Sequence, residues 1–235
     1  MLSLLSATCA ETDTLVNSGR SSFIYIVDEC GWLCYFVQMR NVIEKFIYEC
    51  YNISMQNDNF EFMEINMILA TKRLYLREME PSDFESLCKI LQDEDTMLAY
   101  EGAFSDNEVH EWLDRQIARY KKWNFGLWAV VLKETNEIIG QCGLTMQPWK
   151  ESEVLEIGYL FERANWHLGY ATEAARACKK YAFEMLNATE VCSIIRDTNI
   201  ASQNVAIRNG MTIKDRWIKH YRGVDMPHYR YVVQR

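Results

Sequence analysis

The sequence predicts an α/β fold of the α+β layered kind, a mixed sheet covered by helices. Three observations carry this expectation. The apolar pattern changes period in the order strand, two helices, three strands, helix, strand, helix, two strands. The early strands are joined by short turns, as in antiparallel hairpins, and a strand–helix–strand crossover follows them. Hydrophobic content of 49% with 25% charged residues gives a chain of 235 residues enough apolar surface for one core with an appendage.

The elements follow in order. Arg73–Arg77 alternates charged and apolar residues, as a half-buried strand does. Ser82-Asp83-Phe84-Glu85 has the spacing of a capping box and predicts a helix to about Leu91. Ser105-Asp106-Asn107-Glu108 is a second such box, opening a helix with Val109, Trp112, Leu113, Ile117 and Tyr120 on its apolar face. Leu127–Leu132 is an unbroken apolar run, and Glu134–Glu137 turns the chain into a strand over Ile138–Thr145. Gly140 and Gly143 there imply close backbone approach or a bulge. Val154–Phe161 is the next strand. Tyr170–Leu186 is a helix with Ala171, Ala174, Ala175, Cys178, Ala182 and Met185 on one face. Glu190–Arg196 is a strand, Ala201–Asn209 a helix closed by Gly210, and Met211–Lys219 and His228–Val233 a last pair of strands.

Residues 1–66 read differently and are expected to form an N-terminal extension to a domain over 67–235. They are aromatic-rich without a clean period, apart from a short helix expected over Arg40–Tyr51 and a linker at Asn52–Asn59. Met63 and Met67 immediately precede the first patterned strand and are candidate natural starts.

Net charge is −8, of which the first 66 residues contribute −6. No basic stripe offers a phosphate footprint, so nucleic acid is not the expected partner. A mildly acidic body suits a cationic amine. No apolar run approaches the ~20 residues of a membrane span. The eight cysteines form no CxxC pair and have no clustered histidines, so no metal site is expected, and reduced thiols in a cytoplasmic protein are the simplest reading.

The chemistry concentrates in Glu153–Glu173. A strand and a short turn lead to Trp166-His167-Leu168-Gly169-Tyr170-Ala171-Thr172-Glu173 at the opening of a helix. A helix N-terminus offers unpaired N–H groups and partial positive charge, and Gly169 permits close approach of a ligand, so backbone donors there suit a pyrophosphate. Taken alone, the segment reads equally as a plain strand-to-helix turn. It is neither a P-loop nor a dinucleotide fingerprint.

Two further segments accompany it: Glu156-Ile157-Gly158-Tyr159 before, and Asn199-Ile200-Ala201-Ser202 with Gly210-Met211 after. With Trp166-x-x-Gly169-x-Ala171 they resemble the GNAT superfamily of N-acetyltransferases. The likeness is greatest to the branch of ribosomal-protein N-terminal acetyltransferases and extends over about Thr71 to Arg235. Trp166 departs from the general motif, which begins with Gln or Arg.

The resemblance implies a mostly antiparallel sheet with a splayed strand pair holding acetyl-CoA as co-substrate. The backbone of Tyr159, Leu160 and Phe161 would meet pantetheine and thioester by strand addition. The N–H groups of His167, Leu168, Gly169, Tyr170, Ala171 and Thr172 would meet the pyrophosphate. Asn199 and Ser202 are further cofactor contacts, each equally readable as a turn or capping residue. Glu156 is the candidate base for direct attack by an amine, with an exposed structural strand residue as the plainer reading. Asn199 is the second catalytic candidate. The tyrosine that protonates the leaving thiolate in many relatives is replaced by Ala206. The acceptor is a protein N-terminus or a small-molecule amine, and a monomer or homodimer is expected. A non-catalytic acyl-CoA-binding sensor or interaction module is the alternative.

Overall fold

The computed structural model describes residues 67–100, 102–221 and 223–235. The helix and linker expected in the first 66 residues, and the start of the domain, lie outside the described residues. Among the described residues, eight strands form one sheet: β1 (Met67–Ala70), β2 (Leu74–Arg77), β3 (Leu127–Leu132), β4 (Glu137–Trp149), β5 (Ser152–Phe161), β6 (Glu190–Arg196), β7 (Thr212–Tyr221) and β8 (Val224–Gln234). Their spatial order is β1-β2-β3-β4-β5-β6-β8-β7. Every neighbouring pair is antiparallel except β5 and β6, which the crossover makes parallel. Four helices accompany the sheet: α1 (Phe84–Leu91), α2 (Asp106–Trp123), α3 (Tyr170–Glu184) and α4 (Ile200–Arg208). This is the expected layered fold.

Local chemistry explains most boundaries. Ser105 caps α2 by accepting the Glu108 N–H, and the Glu108 carboxylate accepts the Ser105 N–H at 2.8 Å. The first expected capping box does not form. Pro81 starts a 3₁₀ turn over Pro81–Asp83, and the Asp83 carboxylate accepts the Glu80 N–H at 2.9 Å while Arg77 grips it at 2.8 and 2.7 Å. Ser82 donates to Glu80 instead of capping α1. β4 runs past the expected Thr145 to Trp149, because Pro148 sits at the strand end where its missing donor costs little.

The glycines of β4 have the expected roles. A Cβ on Gly143 would lie 2.0 Å from the Gly126 carbonyl oxygen, and one on Gly140 would lie 2.6 Å from the Phe161 ring. The β3–β4 register shifts between Val130 and Val131, which is the bulge.

The core sits between the sheet and the helices, with Leu74, Leu76, Leu87, Leu91, Trp128 and Leu144 fully buried. Ala174, Ala175, Cys178 and Ala182 are the buried face of α3, and their small size lets the helix lie close over the sheet. Cys178 Sγ stands 3.6 Å from Cys142 Sγ, both thiols free. Met185, expected on that face, is 57% exposed because the helix has ended. Among the described residues, no helix is long and apolar enough to cross a membrane.

Candidate active site

β5 is paired with β4 over its whole length, from Trp149↔Ser152 to Gly140↔Phe161. With β6 it pairs only at Glu156↔Cys192. The two strands then part while β6 continues its ladder with β8. Side chains replace the ladder where they part. The Ile194 N–H of β6 goes to Glu156 Oε1 at 3.1 Å, and the Ile157 carbonyl of β5 accepts Ser193 Oγ at 2.8 Å. Because backbone groups alternate sides along a strand, Ile157, Tyr159 and Phe161 turn theirs toward β6. The Ile157 and Phe161 carbonyls are engaged, the latter by Trp166 Nε1 at 2.8 Å. Tyr159 lies between them at the open edge.

The parting opens a cavity of about 400 Å³. Glu156, Gly158, Tyr159 and Leu160 line it from β5. Asn199 and Ser202 line it at α4, Tyr100, Trp112 and Arg119 on the helical side, and Lys219 and His228 from β7 and β8. Glu156 is half-buried, and Thr145 Oγ1 approaches its Oε2 at 3.3 Å. Burial pushes its carboxyl above the ordinary range. The Lys219 charge, the Ile194 N–H, the Thr145 hydroxyl and the Arg119 charge pull it back without cancelling that rise. A carboxylate with a raised pKa inside a cavity suits proton transfer near neutral pH.

The Tyr159 phenol donates to the Ser202 carbonyl at 2.7 Å, and burial pushes it far up, so it keeps its proton. Burial likewise holds His228 below the usual histidine range, with Lys219 and Arg196 acting in the same direction. Burial also raises the Cys142 and Cys192 thiols, which makes them poor nucleophiles.

Beyond Phe161 the chain makes a 3₁₀ turn, Arg163–Asn165, and reaches the start of α3. Gly169 is the N-cap, at φ +84°, and His167 is also left-handed at φ 62°. The first N–H groups of α3 have no partner within the helix. A tether holds this loop. Glu173 accepts from Thr71 Oγ1 at 2.6 Å, from the Arg73 N–H at 2.9 Å and from Arg73 Nε at 2.7 Å. Arg73 in turn donates to the Leu168 carbonyl at 2.9 Å and lies over the Tyr170 ring at 4.3 Å. Burial opposes ionisation of Glu173, but the Thr71 and Arg73 contacts outweigh it and hold the carboxyl below its ordinary value.

The expected residues thus fall into two groups. Glu156, Tyr159, Leu160, Asn199 and Ser202 converge on the cavity; His167, Leu168, Gly169, Tyr170, Ala171 and Thr172 form the tethered loop outside its lining. Phe161 belongs to neither, since its ring is buried and its carbonyl bonds Trp166. Asn199 caps α4 by accepting the Ser202 N–H at 3.0 Å, so its oxygen is already used. Trp149 at the end of β4 is buried against Trp217 and does not line the cavity. Ala206 is buried in the core. Sequence reasoning missed Arg73, Trp112, Arg119 and Lys219. A strand-period charge at Arg73 was the sole signal for the first, and the others reach the site only through tertiary packing.

Residues 73–212 match the acetyltransferase (GNAT) domain. The chain is 38% identical over 144 residues to YkkB of Bacillus subtilis, covering 61% of this chain and 84% of that protein. It is 31% identical over 136 residues to the N-acetyltransferase p20 of Bacillus licheniformis, covering 57% and 76%. Among solved structures, a protein described as a ribosomal-protein-serine acetyltransferase from Vibrio cholerae shares the fold with a TM-score of 0.61 at 20% identity, over 72% of this chain and 97% of that one. The chain belongs to the GNAT family and is an N-acetyltransferase.

Proposed function

We propose that this enzyme transfers acetyl from acetyl-CoA to a primary amine by direct attack, within the cavity between β5 and β6. The observation that carries the reading is the parting of these strands after Glu156↔Cys192, which leaves the Tyr159 edge facing a cavity with a carboxylate in its wall. The GNAT family uses acetyl-CoA, and a fold neighbour, the ribosomal α-N-protein acetyltransferase RimL, has been solved with coenzyme A. The residues present fit that group: an open strand edge for an amide-bearing arm, and a glycine-capped helix N-terminus for a pyrophosphate.

The thioester supplies an activated acyl group. The Tyr159 N–H would donate to its carbonyl oxygen as negative charge develops. Glu156 accepts the amine proton, directly or through water, and its raised pKa brings it closer to the basicity that step requires. The loop from His167 to Thr172 holds the phosphates, with Arg73 and Glu173 fixing its shape. Asn199 acts by ordering α4 beside the cavity. A cytoplasmic setting agrees with the free thiols.

A second reading, an acyl-CoA sensor without turnover, is favoured by one observation: Ala206 stands buried where many relatives carry an acidic tyrosine. Free-thiol release on incubation with acetyl-CoA and an amine panel separates the two. Turnover that falls at least tenfold in Glu156→Gln is the expected result. Stabilisation by CoA without turnover of any amine would overturn the enzymatic reading.

A further inference from the structure

We infer that the acceptor is an amine carrying a carboxylate close to the reacting nitrogen, and that Arg119 and Lys219 bind that carboxylate. The inference rests on reading the cavity as the acceptor site.

Cations dominate the charge of the cavity lining. Three cationic side chains line it, Arg119, Arg196 and Lys219, against the single carboxylate of Glu156. Of the chain's net charge of −8, the first 66 residues contribute −6 and residues 67–235 only −2. The acidic composition therefore misleads about the acceptor: a polyamine or another polycation would enter a positive cavity.

One carboxylate does not balance two cations in the same lining. Lys219 from β7 and Arg119 from α2 both line the cavity and are both close enough to pull the Glu156 carboxyl down. Among the described residues neither takes part in an ion pair. Arg119 donates to Gln116 Oε1, a neutral amide oxygen, at 2.9 Å. Arg119 is also desolvated, which holds its guanidinium below its ordinary value despite Glu156. A half-buried guanidinium with a neutral partner retains donors for an incoming anion.

The charge is not explained by the phosphates of the cofactor. Those belong to the loop from His167 to Thr172, none of whose residues lines the cavity. The part of the cofactor that meets the Tyr159 edge is uncharged. An anion brought by the acceptor is the remaining complement.

The arrangement also helps the chemistry. Direct attack needs a neutral amine, and nearby cations disfavour the ammonium form. A carboxylate held by Arg119 and Lys219 would anchor the acceptor, while Glu156 accepts the proton. Trp112, fixed by its Nε1 bond to Gln141 at 2.9 Å, supplies an apolar wall beside them.

Matched acceptors test this with the full-length protein. The panel is free aspartate, glutamate and phenylalanine; their carboxamides; peptides beginning with Asp or Glu and amidated at the C-terminus; the same peptides beginning with Asn or Gln; and spermidine. Expected is a kcat/KM at least tenfold higher for acids than for matched amides, and a ratio of acid to amide that falls toward one in Arg119→Gln and Lys219→Gln. Preference for free amino acids identifies an α-carboxylate. Preference for acidic peptides identifies a side-chain carboxylate. Equal or better use of the amides or spermidine would overturn the inference.

If no amine is turned over, the proposed enzymatic function fails first. Calorimetric titration of the same acids and amides into the CoA-bound protein then decides the carboxylate site separately. Tighter binding of the acids, lost in Arg119→Gln, upholds it, and equal or absent binding overturns it.

Discussion

Replacing Glu173 by Gln should weaken both the fold and the grip on CoA, by an amount the structure lets us work out. The carboxylate accepts from Thr71 Oγ1, the Arg73 N–H and Arg73 Nε, at 2.6, 2.9 and 2.7 Å. Hydrogen bonds to a charged group contribute about 1.5–3 kcal/mol each when well buried. Here Arg73 is 40% exposed, so solvent screens much of the charge. The glutamine retains one oxygen for Thr71 and the Arg73 N–H, and turns an NH₂ toward Arg73 Nε. The net loss expected is about 1–2 kcal/mol, or about 2–8 °C in Tm for a domain of this size.

Linkage gives the pH dependence. The folded carboxyl has a pKa below its unfolded value, so its contribution is present above about pH 4.5 and is lost as pH falls through the folded value. The gap between wild type and variant should therefore be full at pH 7 and shrink below pH 4.5. Arg73, released from Glu173, also stops fixing the Leu168 carbonyl, so CoA should bind several-fold more weakly. Thermal scans from pH 7 to 3.5 with CoA titrations check both effects. A variant within 1 °C of wild type at pH 7 (on the order of 0.3 kcal/mol), with unchanged CoA affinity, would refute the tether.

The remaining predictions concern separate parts of the molecule. Lys219→Gln removes the largest influence pulling the Glu156 carboxyl down, so its pKa rises further and the acid limb of the kcat/KM profile moves to higher pH; an unmoved limb would remove Glu156 as the base. Ala171→Glu places a negative charge in the first turn of α3, where it repels a phosphate, so CoA binding should be lost at a temperature where the variant is still folded, and unchanged CoA affinity would remove the loop from the cofactor site. Gly143→Ala puts a Cβ 2.0 Å from the Gly126 carbonyl oxygen, and chemical denaturation should show a loss of at least about 2 kcal/mol.

What was legible in the sequence follows from how local the cause is. The Ser105–Glu108 cap, the alanine face of α3 and the crowding of Gly140 and Gly143 are set by neighbours along the chain or in one hairpin, and each is found where the pattern put it. β1 was missed because Met67–Ala70 is a four-residue edge strand without alternation. The cap of α1 was misplaced because Pro81 and the Arg77–Asp83 pair decide it, not Ser82 and Glu85. At the site, Glu156 and the glycine loop were readable as motifs. Arg119, Lys219 and Trp112 carry no motif, and they share a cavity with Glu156 only because α2 and β7 fold against the parted strands. Trp166, a departure from the general motif, turns out to have a structural task, bonding the Phe161 carbonyl where β5 ends.

The most direct test is mass spectrometry of a reaction containing acetyl-CoA and carboxylate-bearing amines, with wild type and Ala171→Glu in parallel. Expected are N-acetylated amine and free CoA in equal amounts with wild type, and neither above background with the variant. CoA release without acetylated amine, or equal product from the variant, would contradict the proposed transfer.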